Sequence, residues 1–154
     1  MIPSTIDRVP QHTAEHINEQ IRCQTERNID RYSTAGDAAI EERLQELDRE
    51  WDIERTLEAN AATVALVGLG LGAFVDRRFF ALSAVVAGFL LQHALQGWCP
   101  PLPVFRRLGF RTQPEIEAER YALKIMRGDF NHVFNAAGQG AQSRSRDVLD
   151  AVRP

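Results

Sequence analysis

Three groupings of residues have the types and spacing to do chemistry. The first is Cys99, preceded by Trp98 and followed by Pro100 and Pro101. A thiol reacts as its thiolate, which nearby cations favour, and Arg106, Arg107 and Arg111 lie shortly downstream. A thiol or persulfide relay is the chemistry this arrangement would serve. The end of a helix opposes it, because the dipole there disfavours an anion, and a structural thiol is the preferred reading. The second grouping is His12 and His16, four apart with Glu15 between them. On a helix this spacing aims both imidazoles one way, as in metal sites. Two ligands do not complete a site, so neither a metal nor a cofactor is expected. The third is Gln92, His93 and Gln96, set in a strongly apolar stretch. Polar groups at membrane depth turn away from lipid and hydrogen-bond across helices, with a proton pathway as the sharper alternative. No grouping amounts to a catalytic constellation, and an enzyme is not expected.

The elements that must position these residues follow from the charge pattern. The 154-residue chain has a net charge of −3 and a mean hydropathy of −0.28, averages that conceal a sharp division. Residues 1–59 carry an acidic excess, residues 60–99 hold only Asp76, Arg77 and Arg78, and the remainder is mildly basic. A long apolar stretch charged only at its midpoint, between charged flanks, is the signature of a membrane hairpin. The acidic N-terminal part and the absence of a strand followed by a phosphate-binding loop argue against nucleic acids and nucleotides. Two cysteines, Cys23 and Cys99, are too few for a disulfide framework and fit a reducing compartment. Asp7, Arg8 and Pro10 leave no apolar run for a leader peptide, so insertion is expected to depend on the central segment.

Two transmembrane helices are expected, over residues 59–75 and 79–98. The first is near the lower limit for crossing about 30 Å of hydrocarbon and the second is comfortably long. The three-residue turn between them requires antiparallel neighbours. In lipid, helices associate through close approach of small residues. Gly68 and Gly72 supply such a face, with Ala84 and Gly88, or Ser83 and Ala87, as partners within the hairpin or between copies. Arginines are more numerous beyond the outer ends of the helices than in the turn, which places both termini in the cytoplasm of a bacterial inner-membrane protein. A re-entrant hairpin is the alternative.

The fold class expected is all-α, with amphipathic cytoplasmic helices before and after the hairpin. Ile40, Leu44, Leu47 and Trp51 recur at helical spacing, and no glycine or proline interrupts residues 37–67. One long helix from Asp37 to Val75 is therefore expected, with its first half projecting from the bilayer and covered by another helix. Residues 1–36 form a polar segment with a helix from about Thr13 to Tyr32. After the hairpin, Pro100, Pro101 and Pro103 suggest an extended path. Trp98, Arg106, Arg107 and Arg111 then read as headgroup anchors. Thr112, Pro114 and Glu115 open a helix that reaches Arg127 and ends at Gly128. Residues 131–154 read as a mobile tail with a short helix near Asp147–Val152. The domain of interest is 37–130.

Gly97, Trp98, Cys99 and Pro100, with Leu108, Gly109 and Thr112, resemble the YgaP-like inner-membrane domain family. Residues 48–55, Arg120–Leu123 and Gly128–Phe130 resemble its stand-alone branch, so the likeness runs from about Ala39 to Phe130. It implies a membrane hairpin, often a homodimer, that in some relatives is fused to a rhodanese sulfurtransferase. No rhodanese segment is expected in these 154 residues. Gln113 stands where relatives commonly carry a second cysteine, which argues against dithiol chemistry. The function expected is a non-catalytic module in the lipid bilayer that forms homo-oligomers or binds a cytoplasmic protein. The alternative is an accessory in sulfur or redox handling that uses Cys99.

Overall fold

The computed structural model describes residue 4 and residues 6–131 and 141–152, and every element among them is helical. Contacts divide the chain into two units, Met1–Ile21 with Trp51–Pro114 and Arg22–Glu50 with Glu115–Pro154.

In the second unit, α1 (Glu15–Ala35) supplies its later turns and α2 (Asp37–Arg49) follows after Gly36. Gly36 has φ of 96°, a left-handed conformation that glycine adopts without the strain a Cβ brings. Ile40, Leu44 and Leu47, spaced four and three apart, share one face of α2 and are buried against Ile116 and Leu123 of α6 (Gln113–Arg127) and against Tyr32. Burying each such side chain is worth roughly 1.5–3 kcal/mol, which makes this small apolar cluster the unit's main support. Charged residues fasten its edges. Arg43 donates to the fully buried Glu119 at 2.8 Å and to Glu46 at 2.7 Å, and Arg120 pairs with Asp48. Gly128 ends α6 with φ of 86°. Residues 141–152 form α7, a longer helix than the tail was expected to hold. The rest of that expected tail, 132–140 and 153–154, lies outside the described residues.

The expected single helix from Asp37 to Val75 is two helices. Glu50 and Asp52 are extended, and α3 (Ile53–Phe74) begins anew with the Asp52 carboxylate accepting from Arg55 N–H at 2.7 Å. Ile53 N–H, one of the orphan donors of a first helical turn, donates to Arg111 C=O at 2.8 Å. A break can thus occur without glycine or proline, because a capping carboxylate and a distant carbonyl satisfy the interrupted backbone.

The first unit is built on a helical hairpin. After α3, Asp76 accepts from Arg78 N–H at 2.8 Å to shape a 3-10 turn over Arg77–Phe79, and α4 runs Phe80–Gln96. At the seam, a Cβ on Gly68 would stand 2.6 Å from Ser83 Oγ, and one on Gly72 would strike the Phe80 ring. Ser83 Oγ donates to Ala65 C=O at 2.8 Å across the same seam. The glycine face therefore meets Ser83 and Phe80, while Ala84 and Gly88 turn outward and lie exposed.

Beyond Gly97, whose φ of 79° ends α4, the prolines do not keep the chain extended. Pro101 and Pro103 stand at the start of α5 (Leu102–Arg107), in the first turn where no N–H is needed and a fixed φ suits a helix. Leu102 and Arg106, four apart, both face inward. Val9, Ile53, Leu57, Cys99 and Leu102 form the unit's core, extended by Phe105 and Phe110, whose rings meet edge to face at 5.5 Å.

Candidate functional site

At the open end of the hairpin, the first turn of α3 faces the last turn of α4. Glu54 lies in phase with Leu57, Gly68 and Gly72 along the seam side of α3, and His93 follows Ser83, Val86 and Leu90 at steps of three and four along the less exposed side of α4, so the two side chains converge. Their atoms Oε2 and Nε2 are 2.6 Å apart, and His93 is 3% exposed. An ionised carboxylate only accepts, so Nε2 carries the proton that is donated to Glu54. In the neutral ring, Nδ1 is left with a lone pair. The Cys99 thiol, itself buried, lies beside this nitrogen, and no other group reaches it.

The segment before α1 completes this base. Arg8 donates to Glu54 Oε1 at 2.9 Å and to Ala94 C=O at 3.1 Å, and His12 Nε2 lies 3.0 Å from Gln96 C=O. Both carbonyls belong to the last turn of α4, where helix geometry leaves acceptors unsatisfied and the dipole favours a cation. Gly97 passes so close to Arg8 that a Cβ would stand 2.6 Å from the Arg8 carbonyl oxygen. That close approach, together with the positive φ, is the physical demand behind glycine in the Gly97–Pro100 junction.

Between the helices, a cleft of about 190 Å³ runs from Cys99 and His93 past Leu57, Ala61 and Val64 on one side and Val86 and Leu90 on the other. Its walls are almost wholly apolar. The polar groups of its lining are the Cys99 thiol, the buried His93 imidazole and Asn60, and behind the imidazole the Glu54 carboxylate orients the ring. This is the order of parts in which a base activates a nucleophile and a third group holds the base.

The other residues of interest are placed differently. Arg106 is 1% exposed instead of lying at a headgroup layer. Its guanidinium donates to Thr13 Oγ1, Asn18 Oδ1 and Phe110 C=O at 3.2, 2.9 and 3.1 Å. Arg111 is also buried, while Arg107 is exposed and Trp98 half-buried. Arg106 fails as a surface anchor because polar groups of the N-terminal segment and the Phe110 carbonyl take it in. Gln92 is half-buried and Gln96 exposed, so of the three polar residues it is His93 that bonds across the hairpin. His12 sits in a 3-10 turn before α1, with Thr13 extended after it, so it does not share a helical face with His16. Among the described residues no group of three metal-ligating side chains forms. Gln113 lines a separate cleft with Ile6, Arg8 and Thr112.

Glu54 and Arg8 were not singled out as site residues from the sequence. The signal for Glu54 was its phase with the seam glycines; for Arg8 there was none. Comparison with family models, with curated proteins and with solved structures finds no match.

Proposed function

We propose that this chain is an integral protein of the bacterial inner membrane whose α3–α4 hairpin crosses the bilayer with both termini in the cytoplasm. The observation that carries the reading is the outer surface of the hairpin. Both helices are long and apolar enough to span, yet only 17% and 6% of their most apolar stretches are buried. Leu66, Val67, Phe74, Val85, Leu91 and Leu95 are among the large side chains left open to the surroundings. A soluble protein does not leave so continuous an apolar surface in water, whereas lipid accepts it at no cost. Arginine placement supports the orientation.

On this reading the hairpin is an anchor and the helices outside it form a water-side interaction module, for a cytoplasmic protein or for a second copy. Ala84 and Gly88, which face outward, offer a strip on which another hairpin can approach closely. A likeness to YgaP-like domains, carried by the Gly97–Pro100 junction, belongs to the same proposal. A second reading, in which Cys99 acts chemically, is favoured by the buried His93 Nδ1 beside its thiol.

Topology tests the anchor. An Arg78→Cys variant, with Cys23 and Cys99 replaced by serine, should react with an impermeant maleimide only from the periplasmic side, and the protein should resist alkaline extraction. Labelling of the turn from the cytoplasm would replace the spanning hairpin by a re-entrant one, and release by alkali would end the membrane reading.

A further inference from the structure

We propose that Cys99 is an acyl-accepting thiol, activated by His93, whose thioester-linked hydrocarbon chain lies in the cleft between α3 and α4. The inference rests on the reading of the hairpin as membrane-embedded, since the cleft then leads from the water-side thiol toward the lipid.

Two independent observations point to a ligand. The first is His93 itself, 3% exposed and lining the cleft, with Nδ1 facing the Cys99 thiol and bonded to no other group. That nitrogen lies where the thiol can give up its proton, while Glu54 fixes the other side of the ring. The second is the cleft. Leu57, Ala61, Val64, Val86 and Leu90 offer dispersion contacts and no donor. From Leu57 to Val64 it follows seven residues of helix, about 10 Å at about 1.5 Å per residue. Such walls suit a hydrocarbon chain. Beyond His93 and Cys99 the one polar side chain in the lining is Asn60, so the walls past the thiol meet a hydrocarbon chain far more than an anionic sulfur, which sets acyl transfer above sulfur relay.

The step balances without an oxidant. Glu54 holds the Nε2 proton of His93, leaving Nδ1 to accept the Cys99 thiol proton as sulfur adds to the carbonyl carbon of an incoming acyl thioester. The bond from that carbon to the donor sulfur breaks, and the donor leaves as a thiol with the proton returned by Nδ1. The products are S-acyl Cys99 and a free carrier thiol. Carboxylate, imidazole and carbonyl oxidation states are unchanged.

The test incubates the full chain in detergent micelles with palmitoyl-coenzyme A and follows intact mass, mapping the site by peptide and confirming the thioester by its loss in neutral hydroxylamine. Expected are one palmitoyl group on Cys99, modification faster than at Cys23, and no palmitoyl group at position 99 in the Cys99→Ser variant. Loss of a positioned base typically removes about 10²–10⁴ of rate, so His93→Gln should acylate at least about a hundredfold more slowly. Glu54→Gln, which keeps a hydrogen-bonding group but loses the charge that orients the ring, should fall between. Ala61→Phe, narrowing the cleft, should cut the preference for palmitoyl- over acetyl-coenzyme A at least about tenfold. Helicity and monodispersity of each variant separate a chemical loss from an unfolded one. Absence of acylation in the folded wild type, acylation no faster at Cys99 than at Cys23, or an unchanged rate in folded His93→Gln each overturns the proposal. None of these results bears on extraction or turn labelling, so the acyl site and the membrane anchor can fail separately.

Discussion

Glu54 and His93 stand thirty-nine residues apart in sequence and 2.6 Å apart in space, so that one short bond ties the first turn of α3 to the last turn of α4. Arg8 holds the other carboxylate oxygen at 2.9 Å. Hydrogen bonds to charged groups contribute about 1.5–3 kcal/mol, and here they close the open end of the hairpin. Glu54→Ala and His93→Ala should each lower stability in detergent by about 2 kcal/mol. The double variant should lose clearly less than the two separate losses added together, because both remove one interaction. Strict additivity in thermal unfolding would show that the pair is not a latch.

Gly97→Ala tests the docking of the N-terminal segment. The position combines a φ of 79° with an Arg8 oxygen 2.6 Å from where a Cβ would sit, and the opposing atoms include backbone. A non-glycine residue held in such a conformation costs about 1–3 kcal/mol. Shifting the Arg8 backbone should also release it from Glu54. Trypsin should therefore cleave after Arg8 several-fold faster in the variant than in the wild type. Equal cleavage would mean that the segment does not depend on this contact.

In the second unit, Arg43 faces Glu119, which is fully buried, at 2.8 Å. Burial alone would lower the Arg43 pKa, but hydrogen bonds to Glu119 and Glu46 outweigh it and raise it, so the arginine stays charged throughout the accessible range. Removing one partner of a buried pair costs about 3–5 kcal/mol, while replacing both by apolar groups of similar size is often neutral. Arg43→Ala should destabilise by about 3 kcal/mol, and Arg43→Met with Glu119→Leu should recover most of that loss. A double variant as unstable as Arg43→Ala would mean that the pair contributes more than mutual neutralisation.

A milder electrostatic effect links α2 and α6. Arg127 bonds to Glu41 at 2.6 Å and to Asp129 at 2.7 Å, and the hydrogen bond from Arg127 holds the exposed Glu41 carboxyl below its ordinary range. A carboxylate whose pKa falls on folding adds stability above its unfolded value and loses it as pH drops through the folded one. The wild type should melt slightly above Glu41→Gln at neutral pH, and the gap should close as the pH falls through the lowered range of the folded carboxyl. A gap that persists in acid would assign the effect to packing and not to charge.

The helical faces were legible because they are local: Ile40, Leu44 and Leu47 show the period of α2 whatever they pack against. The break at 50–52 was not, because Asp52 becomes a cap only when Ile53 N–H finds the Arg111 carbonyl, a partner nearly sixty residues away. Arg106 misled for a related reason. An arginine beside prolines and aromatic residues reads as a headgroup anchor, and its burial depends on Thr13 and Asn18 arriving from the N-terminal segment. His93 was legible as a polar group turned from lipid, and Glu54 has the phase of the seam glycines Gly68 and Gly72. Their pairing, with Cys99 beside them, required the two helices to be set in register by the Gly68–Ser83 contact.

The outer surface of α4 offers the sharpest separation between a bilayer and water as the medium around the hairpin. Val85 is 54% exposed and takes no part in the seam or the cleft. On a helix in water, Val85→Arg would be a surface change within about 0.5 kcal/mol, and arginine is a good helix former. Near the middle of a spanning helix, the same arginine costs about 2.5–3.5 kcal/mol on insertion scales, less whatever its long side chain recovers by reaching toward the headgroups. An α4 flanked by glycosylation acceptor sites should therefore show a several-fold lower inserted fraction in its Val85→Arg form than in its wild-type form, while Arg107→Ala, outside the hairpin, leaves insertion unchanged. Equal insertion of both α4 forms, with the full-length variant remaining soluble and folded in water, would mean that the apolar surface is covered by protein instead of lipid.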